Sequence, residues 1–269
     1  SLLVSGPENS GKTSLIRAIL RLWPFDGGRI VVDCVDVRSV GLTTLRSRIA
    51  YVPQDTVLFE GTWRQNLDPM GEFDEDQLSC AVKMTRLHNW LARNAPKGLD
   101  EPLPRSGDKA MLSGELKSLL GVSRAFLRLL QRRSKLLLLD CVTCRLDMSS
   151  DADLTMLVLK YCRRREVAVL QTSRRTNQAP LYDSAALLQQ GRILEQGKPK
   201  KLWASDGPFR GYARSQGVDS SALSKADGVA DRLTSVWAWD ISPQEEPAWS
   251  DEFAVGMKKV KDKSSKKRD

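Results

Sequence analysis

Val4-Ser5-Gly6-Pro7-Glu8-Asn9-Ser10-Gly11-Lys12-Thr13-Ser14-Leu15 decides the fold of this 269-residue chain. Gly6, Gly11, Lys12 and Thr13 fall at G-x-x-x-x-G-K-[ST] spacing, between the apolar Leu2-Leu3-Val4 and the run Leu15-Ile16-Arg17-Ala18-Ile19-Leu20. A strand, a glycine-rich turn and a helix start are the context that a phosphate-binding loop requires. The glycines leave room for backbone N–H groups to turn inward, and the helix N-terminus adds partial positive charge. Gly6, Pro7, Glu8, Asn9, Ser10, Gly11, Lys12, Thr13 and Ser14 are therefore the candidate cradle for a nucleotide's phosphates. Lys12 can reach the β- and γ-phosphates, and the Thr13 hydroxyl can ligate Mg²⁺.

Composition bounds the reading from outside. The length suits one α/β domain with a good core and some extra chain. A net charge of +9 would suit nucleic acid or anionic lipid, but much of it is local: residues 258–269 hold seven basic and two acidic side chains. The five cysteines, Cys34, Cys80, Cys141, Cys144 and Cys162, form no even framework, which points to a reducing compartment rather than secretion. No apolar run approaches the ~20 residues that cross a bilayer, and nothing at the start reads as a signal peptide. The chain opens directly on the strand of the phosphate loop, so a fragment or an incomplete gene model, truncated at its N-terminus, is expected.

Taken in order, a first helix is expected over 12–22, stopped by Trp23-Pro24, because the residue before a proline is pushed out of the α region. Arg29-Ile30-Val31-Val32-Asp33 reads as a strand after the Asp26-Gly27-Gly28 turn. A short helix over 43–48 leads into the strand Ile49-Ala50-Tyr51-Val52, which Pro53-Gln54-Asp55 ends. From about 61 the pattern turns helical, with Leu78, Val82, Thr85 and Trp90 roughly on one face and Asp74 as an N-cap. Leu136-Leu137-Leu138-Leu139-Asp140 is a buried parallel strand by its continuous apolar run, and Val167-Ala168-Val169-Leu170-Gln171 is the next.

Tyr51-Val52-Pro53-Gln54-Asp55 resembles the glutamine loop of ABC transporters, and Val40-Gly41-Leu42-Thr43-Thr44-Leu45-Arg46 the approach to it. Phe59-Glu60-Gly61-Thr62-Trp63-Arg64-Gln65-Asn66-Leu67-Asp68-Pro69 resembles the segment that follows in the C subfamily, the multidrug-resistance-associated exporters. The matches cover about residues 1–204 and point to the second nucleotide-binding domain of such a transporter. The resemblance implies an α/β, RecA-like P-loop NTPase core over 1–216, with a helical subdomain inserted at about 61–132. ATP and Mg²⁺ become the expected ligands, with Thr13, Gln54 and Asp140 around the metal, Asp140 as the Walker B aspartate, and Gln54 coupling to the membrane helices. Expected partners are the transporter's transmembrane domains and a second nucleotide-binding domain in a head-to-tail dimer, at the cytoplasmic face of a membrane. An adenine-stacking aromatic is expected upstream of these residues, so the isolated chain should bind Mg-ATP weakly. The Asn66-Leu67-Asp68-Pro69 segment argues against a nucleic-acid partner, because its resemblance is to exporters.

Four motifs depart from the family's pattern. The signature, usually L-S-G-G-Q, stands as Leu112-Ser113-Gly114-Glu115-Leu116. Ser113 and Gly114 would still meet the γ-phosphate held by the opposing domain, but the Glu115 carboxylate repels a triphosphate. Cys141 occupies the place of the glutamate that activates water, and a thiol lacks a carboxylate's charge and paired oxygens. Leu146-Asp147 resembles the end of the D-loop, although Cys144-Arg145 replace its usual small residues. Arg174 falls where a histidine contacts the γ-phosphate. The chain's single histidine, His88, lies in the helical insertion, where a surface or half-buried side chain is expected. The expected function is therefore an ATP-binding exporter domain whose own hydrolytic site is impaired, the alternative being a fully active transport ATPase. Cys141 and Cys144 also form C-x-x-C. No second pair supports zinc, and the position after a Walker B strand is not the helix start of a redox motif, so they read as incidental thiols.

Gly191-Arg192-Ile193-Leu194-Glu195-Gln196-Gly197 resembles the last hairpin, and Lys200-Lys201-Leu202-Trp203 the helix after it. Residues 217–269, with Trp237, Trp239 and Trp249 among prolines and acids, read as a disordered, lysine-rich tail. Its basic run at 258–268 offers an anionic-lipid contact.

Overall fold

β1 (Leu2–Ser5), the strand ahead of the phosphate loop, lies inside a six-stranded sheet. It is seen in a computed structural model that describes residues 1–104, 112–131 and 134–218. The loop leads into α1 (Lys12–Ile19), a hairpin of β2 (Val31–Val32) and β3 (Val35–Asp36), α2 (Leu42–Ser47) and β4 (Ile49–Val52). Four helices follow: α3 (Trp63–Leu67), α4 (Glu75–Met84), α5 (Leu87–Asn94) and α6 (Gly114–Leu130). The chain then returns to the sheet through β5 (Leu136–Asp140), α7 (Met148–Arg164), β6 (Ala168–Ser173), β7 (Ser184–Gln189) and β8 (Arg192–Gly197). It ends its described part on α8 (Pro199–Ala204) and α9 (Pro208–Ser215).

The strand order is β4-β5-β6-β1-β7-β8, parallel except for the antiparallel β7–β8 edge. This is the expected α/β P-loop NTPase core. A parallel sheet covered on both faces needs apolar residues on both, and β5 supplies them by simple alternation. Leu138 packs with Ile16, Ile19 and Leu45 on the α1 side, while Leu137 and Leu139 join Phe126, Leu127 and Val158 on the other. α6 packs on β4, α3, α4 and the turn after β5, tying the helical segment to the sheet.

Several boundaries fall where local chemistry overrides the pattern. α1 stops at Ile19, short of the proline. Arg21 adopts φ 49°, and the bonds Leu22 N–H to Arg17 O (2.9 Å) and Arg21 N–H to Ala18 O (3.0 Å) close a Schellman motif. The expected strand at 29–33 is instead the first half of the β2–β3 hairpin, turned by Asp33 and Cys34, both at positive φ. Leu78, Val82 and Thr85 do share a buried face. Trp90, however, belongs to a separate helix, because Arg86 at φ 61° breaks the chain between α4 and α5; its ring meets Trp63 at 5.1 Å. Asp74 caps α4 through a reciprocal capping box with Gln77. α7 and α9 were not anticipated.

His88 is half-buried, and its Nδ1 has no hydrogen-bond partner among the described residues. No helix among them is long and apolar enough to cross a membrane. The expectations for the tail at 219–269, its tryptophans and its lysine run lie outside the described residues.

Candidate functional site

The phosphate loop leaves the C-terminal end of β1 and is held from both sides. Gly6 N–H donates to Ser173 O at 3.2 Å on β6, and Gly191 N–H, in the β7–β8 turn, donates to Ser10 O at 2.9 Å. Gly6 is required by packing: a Cβ there would lie 2.1 Å from the backbone oxygen of Leu188. Gly11 is required by conformation, since it starts α1 at φ 102°. Inside the loop the Lys12 ammonium donates to Gly6 O (2.9 Å), Pro7 O (2.6 Å) and Ser10 Oγ (3.1 Å). All three acceptors are neutral, Lys12 is only 6 % exposed, and burial pulls its pKa below the ordinary lysine value. Among the described residues no carboxylate pairs with it directly. A buried ammonium held by three neutral acceptors at the start of a helix suits a polyphosphate as its ionic partner.

The second half of the site stands at the end of β5. Asp140, 1 % exposed, accepts from Thr13 Oγ1 at 3.2 Å and from Thr172 Oγ1 at 2.8 Å. The parallel register pairs Asp140 with Thr172, so that contact follows from the sheet itself. Thr13 and Asp140 thus bring a hydroxyl and a carboxylate together from different elements, a hard-oxygen donor set that suits Mg²⁺.

Cys141 follows at φ 49° and caps a 3₁₀ turn, Val142–Arg145. Its N–H donates to both Thr172 O and Thr172 Oγ1 at 3.1 Å, and its Sγ lies 3.6 Å from the same hydroxyl. The thiol is buried, and its hydrogen bond to Cys144 together with desolvation pushes its pKa up strongly. It is a neutral thiol held in place, with none of the basicity that proton abstraction needs. Arg174 extends from the end of β6 over the loop and pairs with the Glu8 carboxylate. Its guanidinium also faces the Cys144 thiol, and both contacts keep it charged.

The remaining sequence candidates stand apart from this centre. Gln54 is exposed just past β4, at the same C-terminal edge of the sheet as Asp140. Asn9 and Ser14 are exposed on the loop and α1. Ser113 caps α6, its Oγ accepting from Leu116 N–H at 3.2 Å, with Gly114 and the exposed Glu115 in the first turn. Among the described residues Ser113, Gly114 and Glu115 make no hydrogen bond to the phosphate loop, and Arg145 instead covers Gly114: a Cβ on that glycine would lie 2.9 Å from Arg145 Cδ. Arg145 also pairs with Asp55 beside Gln54, so one side chain ties the signature, the glutamine loop and the turn after β5. Sequence reading noted Arg145 only as a departure, and missed Thr172 and the Glu8–Arg174 pair. Thr172 could have been found from strand register. The other two are contacts between distant loops with no periodic signal.

The ABC transporter family model matches residues 1–143, just over half of the chain. ATP-binding cassette sub-family C member 2 of Mus musculus is 32% identical over 220 residues, which cover 81% of this chain and 14% of the mouse protein. Multidrug resistance protein mrp-7 of Caenorhabditis elegans is 36% identical over 203 residues, 75% of this chain and 13% of its own length. The chain therefore spans about a seventh of the length of these relatives. Among solved structures, a bacterial Atm1-family ABC exporter with ATP bound superimposes with a TM-score of 0.72 at 26% identity, over 81% of this chain and 37% of that one. Loop, sheet order and family match agree: the chain belongs to the ABC transporter family.

Proposed function

We propose that this chain is the ATP-binding domain of an exporter of the multidrug-resistance-associated type, spanning about residues 1–216. It takes Mg-ATP in the phosphate loop and closes on a second nucleotide-binding domain. That closure passes to transmembrane domains at the cytoplasmic face of the membrane, while hydrolysis at the chain's own site is impaired. One observation carries the reading: a complete phosphate-binding loop and a buried Asp140 stand directly beside Cys141, a thiol where water activation needs a base. Backbone N–H groups between Glu8 and Ser14 and the Lys12 ammonium bind the phosphates. Thr13 and Asp140 hold the metal, with Gln54 completing its shell; the metal, when bound, neutralises charge on the phosphate oxygens.

The remaining roles follow from position. Ser113 and Gly114 face the nucleotide of the opposing domain, where Glu115 adds repulsion. Arg174 can place a fixed positive charge near the terminal phosphate but cannot exchange a proton near neutral pH. The names of the sub-family C relatives and of the ATP-bound exporter support the transport setting.

Isothermal titration of the full chain with Mg-ATP tests the binding half. Wild type should give a saturable heat, however weak, and Lys12→Met none. Equal heats for the two chains would remove the phosphate loop from the account.

A further inference from the structure

Cys141 and Cys144 lie in one turn at the end of β5. The Cys144 N–H donates to the Cys141 carbonyl at 3.2 Å, a closure that sets the two Cα atoms less than about 7 Å apart. A disulfide needs roughly 4.4–6.8 Å. The surroundings of the two thiols differ. Cys141 is buried against Thr172, whereas Cys144 is half-buried, with the Arg174 guanidinium against its sulfur. Arg175 Nη2 also donates to the Cys144 carbonyl at 3.4 Å, and Arg175 Nη1 to Leu146 O at 3.1 Å, pinning the turn to the end of β6. The thiols therefore meet in a held backbone with a cation at one of them, rather than as incidental neighbours. The spacing alone concealed this, because the turn is a short 3₁₀ segment capped by Cys141 and not an α-helix start.

We propose that Cys141 and Cys144 are an oxidation site at which hydrogen peroxide converts the pair to an intramolecular disulfide. Cys144 attacks and Cys141 resolves. In the first step the Cys144 sulfur attacks one peroxide oxygen and the O–O bond breaks; the leaving hydroxide takes a proton as water, and Cys144 becomes a sulfenic acid. In the second the Cys141 sulfur attacks the sulfenic sulfur, the S–S bond forms and the S–O bond breaks, and the hydroxyl leaves with the Cys141 proton as a second water. Two thiols lose two electrons and one peroxide becomes two waters. The assignment of the attacking thiol has a physical basis: the hydrogen bond from Cys141 and the Arg174 charge hold Cys144 below the ordinary thiol value, and thiolate character with partial exposure governs susceptibility. In a reducing compartment such a bond is transient and reversible.

The full chain carries its own controls. Cys34 is exposed, Cys80 is half-buried and Cys162 is buried, outside this turn. Residues 136–145 form one tryptic peptide containing both cysteines of the pair, so loss of two hydrogens with resistance to alkylation reads the bond directly. After graded hydrogen peroxide, that peptide should convert at concentrations at least about tenfold below those that modify Cys34. In Cys141→Ser, dimedone should label Cys144; in Cys144→Ser, Cys141 should stay unlabelled. A 136–145 peptide that remains a dithiol in wild type while Cys34 is oxidised would overturn the proposal, whatever the variants do. Dimedone on Cys141 in Cys144→Ser, with none on Cys144 in Cys141→Ser, would overturn the assigned roles.

Discussion

Replacing Thr172 by Val removes one hydroxyl from the polar centre of the site and keeps the side chain's volume. Thr172 is fully buried, and its Oγ1 donates to Asp140 Oδ1 at 2.8 Å while accepting from Cys141 N–H at 3.1 Å. The Cys141 donor stays satisfied in the variant, because it also reaches Thr172 O at 3.1 Å. Asp140 does not: a carboxylate 1 % exposed would keep only the longer bond from Thr13. A hydrogen bond to a charged group contributes ~1.5–3 kcal/mol, so the loss should be about 2 kcal/mol. For a domain of 150–250 residues this lowers Tm by about 4–8 °C. Thr172→Ser keeps the hydroxyl and loses one buried methyl, which costs about 0.8 kcal/mol. Urea unfolding of the ligand-free chains at pH 7 should therefore rank wild type above Ser and Ser above Val. Thr172→Val within about 0.5 kcal/mol of wild type, or Ser less stable than Val, would show that the hydroxyl does not anchor Asp140.

Two further outcomes can be checked independently. Glu115, exposed in the first turn of α6, should oppose a partner's triphosphate, so Glu115→Gly should strengthen Mg-ATP-dependent association in sedimentation; unchanged or weaker association would reject the repulsion. Burial holds the Asp151 carboxyl above its ordinary value despite hydrogen bonds from Thr143 and Gln178 and the nearby Arg175. The folded chain then keeps a proton that the unfolded chain has lost, so this group lowers stability as pH rises from the usual carboxylate value through the folded one. Asp151→Asn, which preserves an acceptor for the Thr155 hydroxyl, should flatten that slope in unfolding series from pH 4 to 7. An unchanged slope would mean that Asp151 titrates normally.

The sheet was legible because its signals are strong and local. The four-leucine run of β5 and the glycine spacing before α1 each admit one reading, and both strand bounds at β4 follow from the apolar stretch and Pro53. Sequence reading failed where a single residue's backbone decides. Arg21 ends α1 and Arg86 splits α4 from α5, each in a left-handed conformation that arginine composition does not announce. Within the site, Lys12, Thr13 and Asp140 came from motif chemistry. Thr172, Glu8 and Arg145 act through contacts made only once distant segments fold together. Cys141 and Cys144 were seen, but their common turn was not, because spacing cannot distinguish a held pair from two neighbours.

Steady-state phosphate release tests the central claim most directly. The assay pairs the full chain with a competent nucleotide-binding partner whose own site is disabled, so that only the site built on Lys12 reports. A positioned general base contributes ~10²–10⁴-fold, or about 3–5 kcal/mol of barrier, and the buried Cys141 thiol supplies little of it. The unmodified chain should therefore release phosphate near background while still binding Mg-ATP. Cys141→Glu should restore part, and Cys141→Glu with Arg174→His more than the product of the two single gains, since residues acting as one unit are not additive. Turnover by the unmodified chain at the rate of an intact partner site would contradict the account and make this domain an active transport ATPase.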